Sequence, residues 1–583
     1  MQRIFLSLVA TAVFSMAFAQ PFVWPNAWTT AEPGEAVMGG TYRVGAISDP
    51  RTFNPIVSAE QNSMIDTTDL LGAALLTRGP DSDEWLAYGA REFTVSENGT
   101  VLDVVLRDGM KWSDGSDVTV QDYYIRWLIE TDVDAQSNAY DSWFLNDQLI
   151  TVEITGENTL RFRFPGPDRL AFANAALFPL PDAIFGEAYR SGGAEAVRAL
   201  WGTEAPVESI LTTGPFMPTQ FAPGERLNFV ANPYFGEWNV DEQGNALPYL
   251  EGYNITLVGD QDAELNLYLA GELDFFAPRN LDDIGVINVA VNNGDIDAVM
   301  LEDVAPVASS QFIVFNWNLA SNPVKEAMFR NPNFRRAMAH LIDRDAIIEL
   351  VYGGSADPMY TGVYLVNGFW VNEDVPKYEY DVERAVELMA LAGYSQRDAQ
   401  GFLTDANGNR ASFSLATNAG NNQREQIIQI FADSAREAGV EVTTTPIDFN
   451  LLVDQLFSTG DDRPFEAILI GLRGGSRDWP FGDNVNLCTG GLHMFNTSGA
   501  CVGALETLVD QLTKTGRQTL DTEAAREIGL QIQQTEAEQS AILYTVSPKA
   551  HYSWLTTVQG EHPIEYLNPL LGSRQLPLTF KTQ

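Results

Sequence analysis

The residues best placed to do chemistry crowd into one stretch, GLRGGSRDWPFGDN, residues 471–484. The apolar run from Phe465 to Leu472 reads as a strand that delivers this loop. Gly471 and Gly475 let backbone approach a bound molecule closely, because no Cβ stands in the way. The guanidinium forks of Arg473 and Arg477 suit a carboxylate. Asp478, with Asp483 as an alternative, suits a cation. An internal pair between Asp478 and either arginine, or a local turn, is the competing assignment. Trp479, with Trp317 and Trp370 elsewhere, offers ring faces to a sugar or an apolar side chain, although most aromatic residues serve as core. This is chemistry for holding a guest.

Chemistry for transforming one finds little support. There is no G-x-S-x-G elbow, no Gly-Lys pair for a phosphate loop and no H-E-x-x-H. Paired carboxylates of a secreted hydrolase can be picked at will from 78 acidic residues, so they discriminate nothing. His340, His493, His551 and His562 are scattered, and Cys488 and Cys501 are the two cysteines. Two thiols are too few for a zinc site, and no metal or cofactor is expected. In an exported chain an isolated pair so close in sequence reads as one disulfide.

Export itself is read from the start of the chain: Met-Gln-Arg, an apolar run from Ile4 to Phe18, then Ala17-Phe18-Ala19. This is a signal-peptide pattern over residues 1–19, too short to span a bilayer as a helix, and no cysteine near Ala19 offers a lipid anchor. A net charge of −43 argues against nucleic acid as a partner. It serves solubility, or the steering of cationic ligands.

The elements that must position the loop are legible from Glu92 to Trp127. Phe93 and Val95 alternate with polar neighbours, Asn98-Gly99 suits a tight hairpin, and Leu102, Val104 and Leu106 line one face of the return strand. Thr119 with Asp122 resembles a capping box, and Tyr123, Trp127 and Leu128 follow at helical spacing. Further along, Thr212-Thr213-Gly214-Pro215-Phe216, the Pro223-Gly224 turn, Asn232-Pro233-Tyr234-Phe235, Leu247-Pro248-Tyr249-Leu250 and Gly271-Glu272-Leu273-Asp274-Phe275 succeed one another. The strand Phe312 to Asn318 leads to a helix with Phe334, Met338, Leu341 and Ile342 on one face, ending in Ile342-Asp343-Arg344. Strands and helices then alternate from Asp381 to Leu472, as in an α/β lobe. Asp66 to Leu76 is helical in pattern. Pro21 to Met38 reads as an irregular surface leader, and Ile542 to Trp554 as a strand returning the chain to the first lobe.

Taken in order, these motifs resemble those of the family 5 bacterial extracellular solute-binding proteins, the large peptide-binding-type receptors of ABC importers. The resemblance covers about Gly40 to Trp554. It implies an α/β two-lobe fold of the periplasmic binding protein kind. Lobe I is discontinuous (40–58, 207–310 and 540–583), an α+β domain (59–206) is inserted in it, and lobe II spans 311–539. It also implies a monomeric periplasmic receptor that captures peptides between the lobes and delivers them to a membrane permease. Asp478 matches the family's aspartate for a peptide α-ammonium, and the Glu60–Gln61 loop matches a segment that brings backbone near the ligand. Two details depart from the peptide-binding pattern. Ile125 stands where some peptide receptors place a ligand-facing Tyr, and the insert Asp241-Glu242-Gln243-Gly244-Asn245 resembles that of some oligosaccharide-binding relatives.

Overall fold

The computed structural model describes residues 20–32, 34–58, 72, 74–78, 84–473, 475–560 and 576–582. The export segment, Glu60 and Gln61 lie outside the described residues, as does most of the helix expected from Asp66. At that helix's expected end, Leu76–Arg78 is a strand paired with Trp85–Ala87.

The first lobe is built on a four-stranded sheet in the order Phe216–Ala222, Arg226–Ala231, Gly252–Leu257, Thr41–Ala46. Its last two strands run parallel, with Tyr253 opposite Tyr42. Rings of Tyr42, Phe216, Phe229 and Tyr253 meet on the buried face.

On this sheet rests the inserted domain, itself a four-stranded antiparallel sheet ordered Ala90–Ser96, Val101–Leu106, Thr159–Arg163, Thr151–Gly156. The hairpin turns where expected: Asn98 lies at φ 60° and Gly99 at φ 84°, the left-handed pair that lets two twisted strands meet over so short a loop. The capping box is also formed. The Asp122 carboxylate accepts from the Thr119 N–H at 2.7 Å and from its hydroxyl at 3.0 Å, which opens the helix Val120–Glu130. Ile125 of that helix is buried with Ile129 among Tyr42, Phe53 and Phe216, so it glues the insert to the first lobe. The 241–245 insert closes on itself: the Asp241 carboxylate accepts from Gln243 N and Asn245 N, and Gly244 sits at φ +84°.

The leader differs from expectation. Phe22–Trp24 is a strand paired in parallel with Asn239–Asp241. Trp24 and Trp28 are buried, edge to face with each other. Three aromatic residues in a short stretch carry too much apolar area to remain on the surface.

The second lobe is a five-stranded sheet ordered Glu441–Ile447, Ser412–Asn418, Ala467–Ile470, Phe312–Phe315, Ile542–Tyr544. The buried faces of the helices Asn422–Ala438, Pro332–His340 and Arg344–Tyr352 belong to the same core. The edge strand Ile542–Tyr544 pairs with Val314–Phe312, and Val546–Pro548 pairs with Ala356–Pro358. The chain therefore re-enters the first lobe later than residue 540. Tyr552–Leu555 joins Ala298–Leu301 and Phe275–Phe276 in a three-stranded sheet on the first-lobe side. Two segments, 302–311 and 549–551, thus carry the chain between lobes, and they are bonded to each other through Val304 N to Ala550 O and Ala550 N to Ala305 O.

Candidate functional site

The central strand Ala467–Ile470 ends against Phe312 and releases the chain at Gly471. A Cβ at Gly471 would stand 2.2 Å from the carbonyl oxygen of Ser310, so only glycine lets the two segments pass. Ser310 N bonds Leu472 O, and the loop then turns at Gly475, φ +110°. The next stretch is pinned by aromatic packing against two helices. The Trp479 ring packs over Gly516 and the Phe481 ring over Gly529, each where a side chain would collide. Trp479, 1% exposed, also meets Trp370 edge to face.

One face of this loop walls a cavity of about 130 Å³ in the second lobe. Arg473 and Gly475 line it with Ser310, Tyr364, Asn367, Asn484, Glu536 and Tyr544. Burial pushes the Glu536 carboxyl up to about 8 and raises the Tyr364 and Tyr544 phenols above their usual range. The other face of the loop meets the first lobe. The Asp478 carboxylate pairs with Arg78 Nη2 at 2.5 Å, and Arg169 Nε donates to the Asp478 carbonyl at 3.0 Å. Arg78 lies over the Trp85 ring, 4.2 Å from its centroid. A second cavity, about 240 Å³, lies in the seam itself between Asp141, Phe144 and Asp147 of the insert and Asp483, Lys514 and Arg517 of the second lobe. Burial raises Asp141 to about 6 there, although its carboxylate accepts Gly491 N across the seam.

The structure brings together Arg473 and Gly475, which line the second-lobe cavity, and sets Asp478 at the seam. The Arg477 carbonyl accepts the Trp370 indole N–H at 3.0 Å, tying the loop to the turn that carries Tyr364 and Asn367. Trp317 is elsewhere: 2% exposed, it packs against Phe495 with the rings tilted, under the Arg335 guanidinium in the second-lobe core. Cys488 and Cys501 are bonded, just after the loop.

Glu536 and Tyr544 were missed by sequence reasoning. A signal for Glu536 exists. On the helix Thr522–Gln539, Ala525, Gly529 and Ile532 form the inward stripe, and the next residue at helical spacing is Glu536. An acid on an otherwise apolar stripe is a buried-charge flag.

One Ser/His/Asp grouping exists among the described residues, at the crossing between lobes. His551 Nδ1 accepts the Asp303 N–H at 3.0 Å, so its proton sits on Nε2, 2.9 Å from Ser355 Oγ. Ser355 in turn donates to the Asp303 carboxylate. The hydroxyl receives a hydrogen bond from the imidazole instead of giving it one, which is the wrong direction for a nucleophile and its base.

A family model described as bacterial extracellular solute-binding proteins, family 5 Middle, matches residues 84–490. A "Probable ABC transporter-binding protein" of Deinococcus radiodurans is 35% identical over 581 residues, 97% of each chain. The oligopeptide-binding protein AppA of Bacillus subtilis is 24% identical over 449 residues, 76% of each chain. Its structure in complex with a nonapeptide superposes with a TM-score of 0.78 at 22% identity, covering 94% of this chain and 100% of that one. MelB of Agrobacterium fabrum, in complex with stachyose, superposes at 0.79 with 17% identity, covering 96% and 87%. These superpositions show the two-lobe fold.

Proposed function

Because the chain belongs to the family 5 bacterial extracellular solute-binding proteins, we propose that it captures peptides between its lobes and presents them, closed in, to the permease of an ABC importer. The observation that carries this reading is the loop 471–484, one face of which walls a cavity while the other reaches the first lobe through Asp478. A guest that touches both lobes favours the closed form, because the open form cannot make both sets of contacts. In this reading the α-ammonium of the peptide takes the place of the Arg78 guanidinium on Asp478, Arg473 and Arg477 serve the carboxylate, and Glu60 and Gln61 bring backbone to the guest. The receptor acts after export as a monomer and leaves its guest unaltered. The reversed hydrogen bonds of Ser355 and His551 support that last point. An oligosaccharide is the second guest class. It is supported by the likeness to MelB, whose structure is in complex with stachyose.

Mass spectrometry of whatever co-purifies with the secreted protein, followed by titration calorimetry with matched peptides and oligosaccharides, tests the reading. Intact peptide, bound at micromolar or tighter affinity, is expected. Saccharide alone moves the assignment to the second class, and recovery of cleaved guest overturns the receptor reading.

A further inference from the structure

Glu536 stands out among the described residues as a carboxylate that lines a cavity and has neither a hydrogen-bond donor nor a cationic partner. Its helix Thr522–Gln539 packs against the loop, with Gly529 under the Phe481 ring. It lines the cavity, and its Oε2 lies 3.9 Å from the position a Cβ on Gly362 would occupy. The same cavity is lined by residues with polar side chains, Ser310, Tyr364, Asn367, Asn484 and Tyr544. Arg473 lines the same cavity and makes no ion pair with Glu536. A half-buried acid without a partner is costly to keep charged, and a site that tolerates one is suited to receive the partner from outside.

We propose that this cavity is a specificity subsite for a cationic side chain of the bound peptide, a lysine ammonium or arginine guanidinium, with Glu536 as its counter-ion. The inference rests on the peptide-receptor reading and names what the receptor prefers within that class. It is also consistent with the chain's net charge of −43, which draws cationic guests toward the protein.

The titratable groups facing Glu536 decide how binding couples to protons. Tyr544 comes from the edge strand Ile542–Tyr544 and Tyr364 from the facing turn, and burial holds both phenols neutral at physiological pH. Arg473 faces the same cavity. Desolvation raises the Glu536 carboxyl to about 8, so near pH 7 it is mostly protonated before the guest arrives. An entering ammonium favours the carboxylate, and the carboxyl proton leaves to solvent as the ion pair forms.

The test is titration calorimetry at pH 7, in phosphate and in Tris, with alanine pentapeptides scanned by lysine or by norleucine at each position. For the wild-type protein, at least one lysine peptide is expected to bind about tenfold or more tightly than its norleucine twin. Its apparent enthalpy is expected to differ between buffers by the release of up to about one proton. In Glu536→Gln both the preference for lysine and the buffer dependence are expected to vanish. If peptides bind but lysine and norleucine twins are equal in the wild-type protein, the subsite is refuted and the peptide reading stands. If no pentapeptide binds, the peptide reading itself falls and the subsite with it. The wild-type comparison decides even if the variant folds poorly.

Discussion

At Asp478 two cations compete for one carboxylate. Arg78 is pinned over Trp85 and reaches across the seam at 2.5 Å. A peptide ammonium must offer more than that pair does to replace it. Asp478 is about a third exposed, so solvent screens the pair, and its loss in Asp478→Ala is expected to cost only about 1–2 kcal/mol in denaturant unfolding. Peptide affinity should respond differently. If the α-ammonium sits on Asp478, Asp478→Ala lowers affinity roughly 10- to 100-fold, whereas Arg78→Met, which frees the carboxylate, raises it. Equal affinities in wild type and both variants, measured by calorimetry, would remove Asp478 from the site. Sequence reading arrived at Asp478 through its resemblance to the family's ammonium-binding aspartate. It did not arrive at Arg78, which stands 400 positions away, because a pairing across that distance leaves no local pattern.

The elements that join the lobes carry a proton-sensitive clasp. His551, on the returning segment, holds Asp303 N–H on the outgoing one and faces Ser355 of the second lobe. Burial lowers the His551 pKa below its ordinary value; Asp303, Glu302 and Asp283 oppose the shift and Lys549 assists it. The sign follows. Between the lowered value and about 6.5 the unfolded chain binds more protons than the folded one, so stability rises with pH through that window. The clasp is whole above about pH 6.5 and is lost as pH falls through the folded value, when Nδ1 gains a proton and can no longer accept. Melting temperatures from pH 5 to 8 should show a wild-type decline below pH 6.5 that is flattened in His551→Gln; parallel curves would show that the clasp does not titrate. Elements defined by local chemistry were readable beforehand: the Asn98-Gly99 turn, with both residues at positive φ, and the Thr119–Asp122 cap. The clasp was not, since it needs three segments that meet only once both sheets have formed. The same cause misplaced the tail. Ile542–Tyr544 is as apolar as a first-lobe strand would be, and only its register against Phe312–Val314 assigns it to the second lobe.

For the molecule as a whole, the seam is held by Arg517, 1% exposed on the helix Ala504–Gln518. It forks onto the Asp168 carboxylate of the insert at 2.7 and 2.9 Å, pairs with Asp483 of its own lobe, and donates to the carbonyls of Ser142 and Phe144. Burial disfavours its charge, but the two carboxylates hold its pKa above the usual value. Only when the lobes meet is this guanidinium fully bonded, so the closed form carries an energetic term that does not depend on the guest. Removing the cation while leaving Asp168 and Asp483 facing each other costs the closed form about 3–5 kcal/mol. Opening relieves the cost by letting water reach both acids. Arg517→Met is therefore expected to shift the population toward the open form. Small-angle scattering should report a larger radius of gyration than wild type, reduced again by saturating peptide. Because the guest must then supply the closing energy itself, its affinity should drop by roughly 10² or more. A variant with unchanged scattering and unchanged affinity would mean that the pair merely fills the seam, and that closure is decided by the guest alone.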